Sequence, residues 1–450
     1  MIQRTELRDT LRLALPVVAT QLGYIAMGTV DTLMAGRLGP EAISAVGLGS
    51  SVGILPLIMG SGTLMGLDPV ISQAHGAGLY EQCGRALRHG LVLAVCMSIP
   101  LVALLWQSHW ILSAIGEPAP LVEGAAPFLR VWSLGALPFL VFAALRQFLQ
   151  GVGIVAPAMW IVFAANVLNA VANWALIFGN AGMPALGIQG AAWATTISRW
   201  AMALALAAYV FGKPALRRFG VLARRGPLDR ALLMRLMNLG LPVGMQYGME
   251  VGVFTAASAM MGWIGTAALA GHQIAINLCS ITFMVPLGFS ATAAVRVGQA
   301  IGRNDVQAAR RAAFVAYVLG VGFMSLSALA FALAPALLSR MYTNDAAVVG
   351  IAVSLLHVGA VFQLFDGAQT IGIGALRGAA DTRVPMFVTI VAYWILGLPL
   401  GWALAFRGGA GPAGLWWGLT AGLTTVAVVL GCRFYVRVRS ERLALLRAHA

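Results

Sequence analysis

The chain has 450 residues, of which 60% are hydrophobic and only 10% charged, and its formal net charge is +14. A soluble globular protein carries roughly 25% charged residues, and this composition cannot supply the polar shell that a soluble core of such size needs. A soluble domain is therefore excluded, and a basic excess strung between apolar segments points to lipid headgroups rather than nucleic acid.

Residues 1–10 are polar and lead directly into an apolar run at 11–35, too long for a signal peptide and followed by no small-residue cleavage site. It reads as an uncleaved first membrane helix. Further spans are predicted at 43–67, 90–107, 121–145, 152–178 and 187–211. After a polar interval come six more, at 237–263, 266–290, 312–336, 346–372, 384–406 and 412–436. Each can cross about 30 Å of hydrocarbon as a helix. The interval 212–235 carries Lys213, Arg217, Arg218, Arg224, Arg225 and Arg230 with Gly226 and Pro227, and reads as a basic cytoplasmic linker. The chain ends in a short basic tail. Cys83, Cys96, Cys279 and Cys432 have no pair spacing, so neither a disulfide framework nor a zinc site is supported.

With the N-terminus inside, 24 of the 29 basic residues fall on one side. That is the positive-inside bias, and an even number of spans returns both termini to the cytoplasm. The fold class is thus an all-α polytopic membrane protein of about twelve transmembrane helices.

The two halves resemble each other at an offset of 226 to 228 residues. Leu15-Pro16-Val17 matches Leu241-Pro242-Val243, Gln73 and Gly76 fall on Gln299 and Gly302, and Leu149-Gln150-Gly151 falls on Leu376-Arg377-Gly378. Six spans per half give both halves the same orientation, a parallel pseudo-two-fold repeat with a cavity expected between the halves. The expected domains are an N-terminal lobe, 1–211, the linker, 212–235, and a C-terminal lobe, 236–450. Two matched lobes favour alternating access over a scaffold or a channel.

Three acids lie well inside predicted spans: Asp31, Glu250 and Asp366. A carboxylate there costs several kcal/mol unless it is protonated, paired or facing water. Glu250 lies about 22 Å along its helix from Arg235, and Asp366 about 16 Å from Arg377, so both are near mid-depth. Gln246, Tyr247 and Phe254 surround Glu250 at helical spacing; Phe362, Gln363, Gln369 and Thr370 surround Asp366. The eighth span adds His272, Gln273 and Asn277. Such oxygen donors suit a hard monovalent cation, Na⁺ included, and two neighbouring buried carboxylates would not both stay ionised without a cation or a proton. A helix-interface hydrogen bond or an arginine partner is the simpler role for each acid. The repeat places Glu250 opposite Tyr24 and Asp366 opposite Phe139, so the scaffold is duplicated but its acids are not.

On the first span Gln21, Tyr24, Met27, Asp31 and Met34 share a face, which suits either helix packing or a bulky organic cation. Asn166, Asn169 and Asn173 form a ladder on the fifth span, as interhelical glue or as a polar wall. Arg199 lies about 21 Å along its helix from Lys213, too deep to snorkel with ease. It is expected to pair with Asp31 or to face away from the cavity.

These residues together resemble the multidrug and toxic compound extrusion (MATE) family, on its NorM-like bacterial branch. The resemblance rests on Val30-Asp31-Thr32-Leu33-Met34-Ala35-Gly36, Gly187-Ile188-Gln189-Gly190-Ala191-Ala192, Phe365-Asp366-Gly367-Ala368-Gln369, Ala375-Leu376-Arg377-Gly378 and Tyr393-Trp394-Ile395-Leu396-Gly397-Leu398-Pro399. It implies two six-helix lobes that export organic-cation drugs or dyes in exchange for Na⁺ or H⁺. It carries cation binding, with Na⁺ as the possible metal, onto Glu250 and Asp366, and coupling or drug binding onto Asp31. Tyr24, Met27, Gln246, Phe362, Gln363 and Gln369 are the expected substrate-side neighbours. The expectation is a monomeric, multi-pass protein of the bacterial inner membrane, in contact with lipid, with no nucleic-acid partner and no cofactor beyond the coupling ion. The alternative is a lipid-linked precursor flippase of the same broad fold superfamily. No enzyme is expected, since neither a paired-Asp metal motif nor a nucleophile–base motif is present.

Overall fold

The computed structural model describes residues 4–221 and 228–438. Arg224, Arg225, Gly226 and Pro227 of the expected linker, and the tail beyond residue 438, lie outside the described residues.

The described residues are helical almost throughout. The first half holds α1 (Arg4–Gly36), α2 (Pro40–Leu64), α3 (Leu67–Gly76), α4 (Tyr80–Trp106), α5 (Ser108–Ile115), α6 (Ala119–Ser133), α7 (Ala136–Gly151), α8 (Ala156–Phe178) and α9 (Ile188–Gly212). The second holds α10 (Arg230–Ile264), α11 (Thr266–Gly302), α12 (Val306–Leu333), α13 (Pro335–Arg340), α14 (Ala346–Gly378), α15 (Arg383–Ile390), α16 (Leu398–Trp402) and α17 (Gly411–Arg437). Helices α15 and α16 belong to one span, Arg383–Arg407, that contains two π-helical stretches, Val391–Gly397 and Ala403–Arg407.

Among the described residues, ten spans are long and apolar enough to cross a membrane, and α6 with α7, bent by 44°, forms an eleventh. The 35-residue α10 is also long enough, but Gln246, Glu250 and repeated glycines dilute its apolar character. Counting α10, these are the twelve spans expected. Many large apolar side chains face outward, among them Leu33, Trp110, Trp160, Leu204 and Ile395. On a protein whose exterior is lipid, such exposure carries no hydrophobic penalty.

Two compact units result, Ala19–Gly244 and Met1–Val18 with Met245–Ala450. These boundaries differ from the lobes expected at 1–211 and 236–450. The chain passes from one unit to the other within α1 and within α10, two residues after Pro16 and two residues after Pro242. Each proline removes a main-chain hydrogen bond and loosens its helix at that point. The physical reason for the exchange of α1 is visible at Glu6, which forms an ion pair with Arg296 of α11 and lies 3.7 Å from Arg311 of α12. Thr10 also accepts a hydrogen bond from Arg296. The start of α10 is held in the other unit. There the Asp229 main-chain N–H donates to His89 Nε2 at 2.9 Å, and Arg85 lies 3.5 Å from the Asp229 carboxylate.

The core of the Ala19–Gly244 unit is built from Leu57, Leu64, Phe142, Leu145 and Phe148. The other unit builds its own from Val253, Leu355, Leu356, Phe362 and Trp416. Glycines allow the closest approaches. A Cβ on Gly418 would lie 2.3 Å from the Gly401 main chain, and one on Gly374 would lie 2.2 Å from the Ser290 carbonyl oxygen. Small residues at such contacts let backbones approach where lipid provides no hydrophobic drive between helices.

Candidate functional site

The unit containing Met245–Ala450 brings α10, α14 and the π-helical stretch Val391–Gly397 together around Glu250 and Asp366. Asp366 is buried and Glu250 half-buried. The Gln369 side-chain amide donates to Glu250 Oε1 at 3.1 Å and to Asp366 Oδ1 at 3.3 Å. One amide nitrogen thus bonds both carboxylates. The Tyr393 hydroxyl in turn donates to Gln369 Oε1 at 2.9 Å, which fixes the orientation of that amide. Trp394 donates to the Met249 carbonyl at 3.1 Å and pins the adjacent turn of α10.

The other expected neighbours are divided. Gln363 donates to Thr282 at 2.6 Å and to Ser327 at 3.2 Å, away from the carboxylates. Phe362 packs between Phe254, edge to face, and Trp416, at a tilt. Gln246 is buried, and so is Thr370. His272 does not join the acids either: its Nδ1 accepts from Trp416 at 3.1 Å and its Nε2 pairs with Ser258 at 3.0 Å. Gln273 is exposed, and Asn277 accepts from Tyr342 near the surface. Tyr393 was not anticipated as part of the site, although it stands in a motif noticed in the sequence. Among the described residues no group of three or more His, Cys, Asp or Glu could hold a metal ion.

The Ala19–Gly244 unit centres on Asp31. Its Oδ1 accepts from Asn173 at 2.7 Å and from Asn169 at 3.0 Å, and its Oδ2 accepts from Thr195 at 2.6 Å. The asparagine ladder of α8 is therefore partly a carboxylate cradle, while Asn166 donates to the Gly23 carbonyl and glues α8 to α1. Thr195 was not singled out by spacing. Met27 is buried, and Tyr24 packs on Phe139 with ring centroids 6.0 Å apart. Arg199 takes neither expected course in full. It is buried and its guanidinium carbon lies over Trp132, 4.0 Å from the ring centroid; among the described residues no ion pair joins it to Asp31, whose oxygens accept from neutral donors. Asp68, at the start of α3, is a fully buried acid that the span boundaries had placed outside the membrane.

The family model MatE matches this chain twice, over residues 16–175 and 242–403. The chain belongs to the MatE family. The double match is the repeat read from the sequence. A protein from Burkholderia vietnamiensis called multidrug resistance protein NorM is 41% identical over 438 residues, which cover 96% of this chain and 94% of the relative. A probable multidrug resistance protein NorM from Mesorhizobium japonicum is 40% identical over 448 residues, covering 98% and 95%. The fold is that of solved MATE transporters. The eukaryotic transporter AtDTX14 superposes with a TM-score of 0.88 at 22% identity, covering 99% of both chains. The Vibrio cholerae transporter VcmN in its bent form superposes with a TM-score of 0.86 at 19% identity, covering 98% of both. As a MatE member with this many apolar helices, the chain is a multi-pass membrane protein.

Proposed function

We propose that this protein is a multidrug efflux antiporter that exports organic cations in exchange for Na⁺ or H⁺ by alternating access. It is placed in a bacterial inner membrane with both termini on the cytoplasmic side. The observation that carries the reading is the Glu250–Gln369–Asp366 network, two carboxylates tied to one amide inside an apolar helical unit. Like charges this close resist joint ionisation, so the network has a ground for taking up a monovalent cation or a proton. Occupancy that differs between two conformations is what couples an ion gradient to movement of another solute. Asp31, framed by Tyr24 and Met27, is the carboxylate proposed to meet the exported cation, since an aromatic face and an acid together attract a flat organic cation. The bacterial relatives named for multidrug resistance support the substrate class, and the bias of basic residues supports the orientation.

The test is expression in a bacterium stripped of its own drug exporters. Wild type should lower steady-state ethidium accumulation several-fold and raise tolerance to it. The double variant Glu250→Gln with Asp366→Asn, present in the membrane at equal amount, should do neither. Equal protection by the double variant would remove the network from the mechanism.

A further inference from the structure

We propose that the second half of the chain carries a binding site for a phospholipid of net negative charge, built from Arg310 of α12 and Arg433 and Arg437 of α17 around the single carboxylate of Asp381. All four residues belong to the unit that contains Met245–Ala450. Asp381, in the segment between α14 and α15, is 6% exposed. Its Oδ2 accepts from Arg433 Nε at 2.7 Å and lies 3.9 Å from Arg437 Nε. Arg310 Nε donates to the Val438 carbonyl at the end of α17, at 2.9 Å, and its Cζ lies 5.3 Å from the Tyr435 ring centroid. The site does not depend on which solute the protein exports.

Three features distinguish this cluster from a structural ion pair. First, its charges do not balance. One carboxylate faces both Arg433 and Arg437. Among the described residues no acid pairs with Arg310; Glu6 pairs with Arg296 and Arg311 instead. Beyond residue 438 the sequence adds Arg439, Arg442 and Arg447 against Glu441 alone. Like charges gathered in one place repel one another, and a bound anion removes the repulsion.

Second, the donors that a phosphate needs are open. Each of the three guanidiniums makes its contact through Nε. Their terminal Nη groups donate no hydrogen bond to another described residue, and none of these atoms is buried. Arg433 and Arg437 keep 35% and 34% of their side chains exposed. The free Nη pair is the fork that binds phosphate oxygens.

Third, the surroundings favour a lipid over a free anion. One and two turns into the membrane from Arg310, α12 exposes Phe314 and Val318. One turn in from Arg433, α17 exposes Val429, with Val428 beside it. Acyl chains thus have an apolar surface directly beside the charges, which inorganic phosphate would leave unused. Basic groups between helices on the cytoplasmic side bind anionic headgroups, and the proposed orientation puts this end on that side. The frame itself does not require the cluster. At offsets of 226 to 228 residues the first half has no charged residue matching Arg310, Asp381, Arg433 or Arg437.

The experiment titrates purified, delipidated full-length protein in detergent with phosphatidylglycerol and with phosphatidylcholine, and counts bound lipid by native mass spectrometry. Wild type should prefer phosphatidylglycerol about tenfold. Arg310→Gln and Arg437→Gln should each lower that preference several-fold. Arg303→Gln, which removes an exposed arginine at the end of α11, should leave it within about twofold. Asp381→Asn should raise the preference, because it removes the one carboxylate that repels the headgroup. That variant decides the matter even where loss of an arginine disturbs folding. No preference in wild type, or an equal fall in Arg303→Gln, would reduce the cluster to general surface charge and overturn the site. A fall in Asp381→Asn would make the cluster a structural ion pair and overturn it too. Inorganic phosphate at the lipid's concentration should not displace phosphatidylglycerol; displacement would show a site that ignores the acyl chains and would contradict a lipid.

Discussion

Gln369 is the residue on which the carboxylate network depends. It supplies both N–H groups that face Glu250 and Asp366, and Tyr393 holds its amide in the orientation that allows this. Replacing it by leucine of similar volume removes the hydrogen bonds to both carboxyl groups, each worth about 0.5–3 kcal/mol depending on which of the two is ionised. Gln369→Leu should shift the cation concentration that half-saturates dye efflux by at least tenfold, whereas Thr370→Ala, one residue on, should shift it little. A titration of efflux rate against Na⁺ or H⁺ reads this directly, and equal values for the two variants would show that the amide is a spectator. The acids themselves were legible from the sequence, because a carboxylate in an apolar run has few benign explanations. Gln369 was legible too, by its spacing of three residues from Asp366. Gln363, also three residues away, was not separable from it: both spacings fit a helical face, and only the packing of Thr282 and Ser327 shows that Gln363 turns elsewhere.

Among the elements, the span Arg383–Arg407 departs furthest from a regular helix. Its π-helical stretches Val391–Gly397 and Ala403–Arg407 bond i to i+5 and so rotate the side chains that follow relative to a 3.6-residue turn. This explains why Tyr393 escaped notice as a site residue: α-helical periodicity, the only register available from sequence, does not hold there. The span packs against α17 through glycines, with Gly418 set closely against the main chain of Gly397 and Gly401. Gly418→Ala would drive a Cβ to 2.3 Å from Gly401 Cα and N, which no rotamer change relieves. Overpacking of this kind typically costs about 1–3 kcal/mol or more. The variant should therefore melt several degrees lower in detergent, while Gly431→Ala on the same helix, where no atom lies within 4 Å, should melt as wild type does. Equal melting of the two would mean that α17 shifts freely against its neighbour.

At the scale of the molecule, the internal repeat was visible in matched short motifs, and the double match to the MatE family model follows the same division. What the motifs could not show is that α1 and α10 each belong to two compact units. That exchange depends on ties between residues far apart in the chain, Glu6 with Arg296 and Arg311, and Asp229 with Arg85 and His89. Arg85 and Arg311 are 226 residues apart, so the repeat sets the same type of cation beside the start of both crossing helices. The duplication is thus kept in the frame and broken in the chemistry, with a carboxylate network in one half and Asp31, held by Asn169, Asn173 and Thr195, in the other. It is this division that the proposed exchange of one cation for another would use. The most direct test follows an organic-cation dye in sealed liposomes containing the protein, driven first by a Na⁺ gradient alone and then by a pH gradient alone. Wild type should accumulate dye against its own gradient under at least one of the two, and Glu250→Gln and Asp366→Asn should each abolish that accumulation. Uphill movement that persists undiminished in both variants, or dye that in wild type only equilibrates under either gradient, would contradict the account.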